Sequence, residues 1–144
     1  MCDVTFLCDG LTFECCAPDS DLDGVCDQNN CAVDDASAFA TPGEIANVQW
    51  PAGNVTVAWN PAAPAWGDGT VYDVLRGNCA ELPVGAGLDE VCLITTEPDP
   101  DAQDPDVPVS GQCRYYVVRG SNACGLGTYG FESAGPERLS AVCP

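Results

Sequence analysis

Eleven cysteines and no histidine constrain this chain more than any other feature. They stand at positions 2, 8, 15, 16, 26, 31, 79, 92, 113, 124 and 143. Clustered cysteines serve either zinc or disulfides. A zinc site wants CxxC-type pairs, often completed by histidine, and this spacing offers neither. Disulfides are therefore expected, and with them an oxidising compartment. The odd count predicts one thiol that is free or bonded to another chain. Spacing alone does not give connectivity. Cys124–Cys143 and Cys79–Cys92 are the two pairings favoured, the first tying the final strand to the one before it, the second closing a Gly-rich hairpin. Residues 79 to 143 also hold an odd number, so at least one of these cysteines should reach the N-terminal segment or another chain.

The second constraint is charge. Twenty-two acids face four basic residues, a net charge of −18. All four are arginines, at 76, 114, 119 and 138. Such a chain repels phosphate backbones and anionic membrane surfaces, which excludes nucleic acid as a partner. It attracts cations. No long apolar run predicts membrane insertion, and no leader is visible at Met1-Cys2-Asp3-Val4, so export requires a signal removed earlier or a longer parent chain.

The acids are not evenly spread. Asp19-Ser20-Asp21-Leu22-Asp23-Gly24-Val25-Cys26-Asp27 sets carboxylates at alternate positions ahead of a glycine. Ca²⁺ takes six to eight oxygens from carboxylates and carbonyls on a sharply turned loop, and Gly24 permits the turn. The expected ligands are Asp19, Asp21, Asp23, the Val25 carbonyl and Asp27. Asn30 stands where an EF-hand places its clamping Glu, and no helical period flanks the loop. The stretch instead resembles a thrombospondin type 3 repeat, through DxDxDGVCD followed by Asn30-Cys31. Asn30-Cys31-Ala32-Val33-Asp34-Asp35 and Thr41-Pro42-Gly43-Glu44 are also similar to metal-binding segments of bacterial surface proteins.

Two regions follow. Residues 1–43 form a Cys-rich hairpin, the calcium loop and a linker. In the hairpin, Asp9-Gly10 predicts a two-residue turn, with Phe6 facing Phe13 and Cys8 facing Leu11. The vicinal pair Cys15-Cys16 should reach two different partners. Ala36–Ala40 allows one helical turn before Pro42-Gly43. Residues 44–144 alternate short apolar strands with Pro and Gly turns, the pattern of an antiparallel sandwich. Strands are expected at 45–48, 55–59, 71–76, near 80–82, at 91–94, 114–120, near 129–133 and at 139–143. Val55, Val57 and Trp59 should share one face, and Tyr72 and Val74 should point inward.

VTVAWNPAAP, VYDVLRGN and RYYVVRGSNACGLGTYGFES resemble a fibronectin type III domain, closest to copies in secreted bacterial proteins. Trp59 and Tyr72 match its core aromatics, Tyr116, Val118, Gly120, Asn122 and Gly125 its penultimate strand and turn, and Ser133 its last strand. Arg114 departs from the apolar residue usual there. The resemblance implies an all-β immunoglobulin-like fold and an extracellular, cell-surface setting; its motifs are structural and leave function open.

Other features weigh less. The acidic Pro-rich stretch 97–108 reads as a solvated loop, or as a second calcium site through Asp99, Asp101, Asp104 and Asp106. Trp59 reads as core, while Trp50 and Trp66 offer a surface for stacking sugars. Asn54-Val55-Thr56 is a glycosylation sequon. Without histidine no Ser-His-Asp or Cys-His site exists, and nothing points to a substrate. The expected function is a non-enzymatic structural or adhesive protein, stabilised by calcium and disulfides. It self-associates, as a filament subunit, or meets neighbouring domains of a surface protein. The alternative is a carbohydrate- or protein-binding module.

Overall fold

The computed structural model describes residues 7–8, 15–16, 18–51, 53, 55–133 and 135–143. Among these the chain is all-β apart from short turns of helix. β1 (Leu7–Cys8) pairs antiparallel with β2 (Cys15–Cys16). The body then runs β3 (Thr56–Ala58), α1 (Ala63–Trp66), β4 (Val71–Asn78), β5 (Val91–Glu97), β6 (Asp101–Gln103), β7 (Arg114–Asn122) and β8 (Gly125–Leu126). One sheet has the order β5-β4-β7-β8 and the other pairs β3 with β6. A bridge between Gln49 and Ala58 extends the smaller sheet.

The two sheets face each other across Ile45, Val57, Trp59, Ala62, Tyr72, Val74, Ala102 and Val118. Trp59 meets Tyr72 edge-on at 5.2 Å, and the Tyr72 hydroxyl accepts the Ala62 N–H at 2.7 Å. Burying one such aliphatic side chain stabilises the fold by about 1.5–3 kcal/mol. Tyr72 and Val74 point inward as expected, but Asp73 and Leu75 are buried too. The larger sheet is covered on both faces. A second cluster, Leu75, Tyr129 and Cys143 with Val84, Cys92 and Val117, lies on its outer side.

That outer cover is formed by the C-terminal segment, where strands at 129–133 and 139–143 were expected. Neither forms; a single bridge joins Phe131 to Glu137. After β8 the Gly127 N–H donates to the Gly120 carbonyl at 2.9 Å, and the chain then leaves the ladder. Gly130, at φ 84°, takes a backbone conformation that side chains disfavour and turns the chain over the sheet face. Tyr129 docks there, with the Arg119 guanidinium 4.6 Å from its ring centre.

Other expectations shift for local reasons. No strand forms at 45–48, because Asn47 sits at φ 57° and only isolated bridges flank it. Val55 precedes β3 and is exposed, whereas Val57 and Trp59 share the buried face. Residues 79–81 wind into a 3₁₀ turn capped by the Asn78 side chain, which accepts the Ala80 N–H at 3.0 Å. Residues 36–40 are not helical; Asp35 accepts from the Ser37 N–H and hydroxyl and diverts the chain into a turn. α1 was not foreseen, and Pro64 favours its start. β6 emerges inside the acidic stretch expected to be a loop, because alternation buries Ala102 between exposed Asp101 and Gln103.

The hairpin pairs in a different register from the one expected. Leu7 faces Cys16 and Cys8 faces Cys15, so six residues lie between the paired ends and Asp9-Gly10 is not a two-residue link. A two-residue strand has no long apolar face to fix its register. The Phe6–Phe13 contact, the side chains of Cys15 and Cys16, and the sequon residue Asn54 lie outside the described residues.

Both favoured disulfides give way to others. The bonds are Cys31–Cys124, Cys79–Cys113 and Cys92–Cys143. Each follows from topology. Cys79 and Cys113 sit just past the Asn78–Arg114 end of the β4–β7 ladder. Cys92 lies opposite Leu75, under the C-terminal cover that carries Cys143. Cys124, in the β7–β8 turn, is left for Cys31 of the N-terminal segment, the cross-region bond that the odd count required. Cys26 is disulfide-bonded as well. These bonds suit an oxidising environment. No helix among the described residues is long and apolar enough to cross a membrane.

Candidate metal centre

The acidic stretch is a loop whose own carboxylates organise its backbone. Asp19 accepts the N–H groups of Leu22 (2.8 Å) and Gly24 (3.1 Å), and Asp23 accepts that of Val25 (2.7 Å). Such side-chain-to-backbone bonds replace the ladder that a helix or strand would supply. Leu22 and Gly24 both take positive φ, 64° and 91°, which coils the chain tightly enough to bring alternate side chains together.

Asp19, Asp21 and Asp23 each contribute an oxygen to one cluster, all within 4.8 Å of one another. Oxygens bound to one Ca²⁺ at roughly 2.4 Å stand no more than about 4.8 Å apart, a limit that the three meet. Their mutual repulsion at that distance is about 1 kcal/mol per pair in water and larger in a less polar setting. A divalent cation reverses that sign. Among the described residues this is the one cluster of its kind, and its donors are the hard oxygens that Ca²⁺ or Mg²⁺ prefers.

Asp27, a further expected ligand, lies outside that trio. Both Asp27 oxygens are turned to Ser20, accepting its N–H at 2.8 Å and its hydroxyl at 2.7 Å. The Asp27 N–H donates to the Pro18 carbonyl at 3.0 Å, so this residue closes the loop at its base. Val25 is half-buried beside Asp23 through its N–H.

Asn30, which stands where an EF-hand would place its clamping Glu, is drawn into the cluster. Its buried amide donates to Asp21 at 3.3 Å and Asp23 at 3.1 Å, and its carbonyl accepts the Ala32 N–H at 2.8 Å. It orients two carboxylates and places partial positive charge between them. Its adjacency to Cys31 was the sequence signal. Cys31 bonds covalently to Cys124, and nearby the Asn122 side chain donates to the Ala40 carbonyl at 2.9 Å and the Trp66 carbonyl at 3.0 Å. The acidic loop is thereby fastened to the β7–β8 end of the body.

The second acidic stretch does something else. The Asp104 side chain is only 1% exposed and accepts from Arg76 at 2.8 and 2.9 Å and from the Tyr116 hydroxyl at 2.8 Å. Burial alone would raise its pKa; the Arg76 and Tyr116 bonds and the Asp106 N–H outweigh that and hold it below the usual carboxylate range. Burial and the same carboxylate push Tyr116 up to about 12. Asp104 is thus an internal counter-ion rather than a calcium ligand, and neither reading of 97–108 as loop or metal site describes it. Arg114 closes the group by pairing with Asp106 at 2.9 Å.

Trp59 is core as expected, and Trp66 is packed against that core. Trp50 is 41% exposed and meets Tyr116 edge-on at 5.1 Å. With Arg114, Asp106, Val107 and Pro108 they line an open recess of about 420 Å³. No family model, curated protein or solved structure matches this chain.

Proposed function

We propose that the protein is a non-enzymatic extracellular structural or adhesive unit. In this reading a calcium-binding segment like a thrombospondin type 3 repeat is riveted to a body like a fibronectin type III domain, and copies associate into a surface filament of a bacterium. The observation that carries it is the coupling of the Asp19–Asp21–Asp23 cluster to the body through Cys31–Cys124. A cation there would stiffen the N-terminal segment relative to the sheets, which is what a load-bearing module needs. Two antiparallel sheets facing across Trp59 and Tyr72 support the sandwich part of the reading. When bound, Ca²⁺ would supply charge neutralisation; Asp19, Asp21 and Asp23 would hold it, with Asn30 setting the orientation of two of them.

Light scattering on the native, non-reduced protein, with calcium and then with a chelator, tests this. A large polymer that the chelator disperses supports the whole reading. A monomer in both conditions removes the filament and leaves calcium a local folding role. The exposed Trp50 and its recess favour a second reading, a carbohydrate-binding module. Glycan binding that Trp50→Ala abolishes would support it, and no binding on a glycan panel would sink it.

A further inference from the structure

β4 pairs with β7 along Arg114–Ser121, but the other edge of β7 is covered only at its far end. β8 takes Ser121 and Asn122, Glu44 bridges Arg119, and the Gly127 N–H reaches the Gly120 carbonyl. Among the described residues no strand or bridge meets the outer edge of Arg114–Val118. The segment after β8 has crossed to the outer face and left this edge open. A groove of about 310 Å³ runs beside it. Ile45 and Val48 wall it on the core side; Val84 and Tyr129 wall it on the outer side. One end is closed where Arg138 approaches Glu44 at 3.6 Å. An edge with apolar walls above and below has the shape of a missing strand, and sheet edges of this kind accept strands from other chains.

We infer that this edge takes a strand from a second copy of the chain, and that the strand is Val4-Thr5-Phe6-Leu7-Cys8. The inference rests on the self-association proposed above and supplies its contact. Three observations select this occupant. A strand between two apolar walls must be apolar on both faces. Val4, Phe6 and Cys8 alternate with Thr5 and Leu7 to give that pattern. The open edge spans five residues, roughly 17 Å, the length of this segment in extended form. β1 pairs with β2 and with no other described strand, which leaves its second edge for the neighbour.

The test uses the full, oxidised chain, with light scattering for size and amide hydrogen exchange read at Tyr115–Val118. Wild type should polymerise and protect these amides as it does so. Thr5→Pro removes a ladder donor and Phe6→Asp places a charge in the groove. Both should stay monomeric, lose that protection and keep the wild-type melting temperature. A synthetic peptide of residues 3–9 with Cys8→Ser should shorten the wild-type polymer and protect the same amides. Polymers of undiminished size from both variants, or a peptide without effect, overturn strand addition and leave the filament reading standing. A monomeric wild type overturns both; if its Tyr115–Val118 amides are nevertheless protected, the chain closes the edge with its own segment.

Discussion

Replacing Asp104 by Ala is the sharpest test of how the body is held together. The side chain is buried and answers two groups at once, the Arg76 guanidinium and the Tyr116 hydroxyl. Removing it leaves a largely buried cation and a phenol without their acceptor. Breaking a buried pair from one side costs about 3–5 kcal/mol. Arg76 retains Asp106 at 3.3 Å, which places the expected loss near the lower end, about 3 kcal/mol. For a body of roughly 100 residues that is a fall in melting temperature of about 12 °C. Asp106→Ala is the control. Its side chain is 60% exposed, and loss of a surface pair costs at most about 1 kcal/mol. Thermal melts of the oxidised variants decide the matter, with calorimetric calcium titrations beside them. Asp104→Ala should melt far below Asp106→Ala and bind calcium as wild type does. If the two melt together, the internal counter-ion argument is refuted; if Asp104→Ala loses a calcium site, Asp104 is a ligand after all.

Three further outcomes follow from the same geometry. In metal-free buffer, Asp21→Ala and Asp23→Ala should abolish calcium binding by calorimetry, while Asp27→Ala, which opens the base of the loop, should weaken binding without abolishing it. The Cys31→Ser/Cys124→Ser double variant releases a loop of 93 residues that Cys79–Cys113, itself spanning 34, trims to about 60, so it should lower unfolding stability by about 4 kcal/mol in denaturant melts. The carboxyls of Asp104 and Glu90 are both held below their ordinary pKa: burial opposes this in each, but bonds from Arg76 and Tyr116 to the first, and from Tyr115, the Gly85 N–H and Ser140 to the second, prevail. A depressed carboxylate adds stability above its unfolded pKa, near 4, and that stability is lost as pH falls through the folded value. Acid melts should therefore steepen below about pH 4, and Asp104→Asn should flatten that limb.

Much of the body could be read from side-chain alternation, because a strand announces its faces every second residue. Val57, Trp59, Tyr72 and Val74 were legible in this way, as was the crowding of Asp19, Asp21 and Asp23. Burial on both faces was not. Leu75 and Asp73 look like solvent positions until the C-terminal segment crosses behind them, and nothing local in 128–143 signals that crossing except Gly130. The Cys92–Cys143 bond followed from the same unseen crossing. Asp104 was misread because an acid in an acidic run resembles its neighbours; what distinguishes it is Arg76, twenty-eight positions earlier and one strand away. Asn30 was read as a departure from an EF-hand and as half of the Asn-Cys pair, not as a member of the cluster, although a neutral donor is what two adjacent carboxylates need in order to stay close.

The bond between Cys31 and Cys124 also sets how the molecule answers a pull. Tension entering through the acidic loop and leaving beyond Cys124 passes straight from one sulfur to the other. The backbone between them carries none of it. Stretched out, the part of that stretch not short-circuited by Cys79–Cys113 would add roughly 200 Å of slack per molecule. With the bond closed the two sheets cannot be drawn apart by such a force, and the compliance left lies in the acidic loop and the C-terminal cover. A chain built this way behaves as a short inextensible link while oxidised and becomes a long extensible one only when that single bond is reduced.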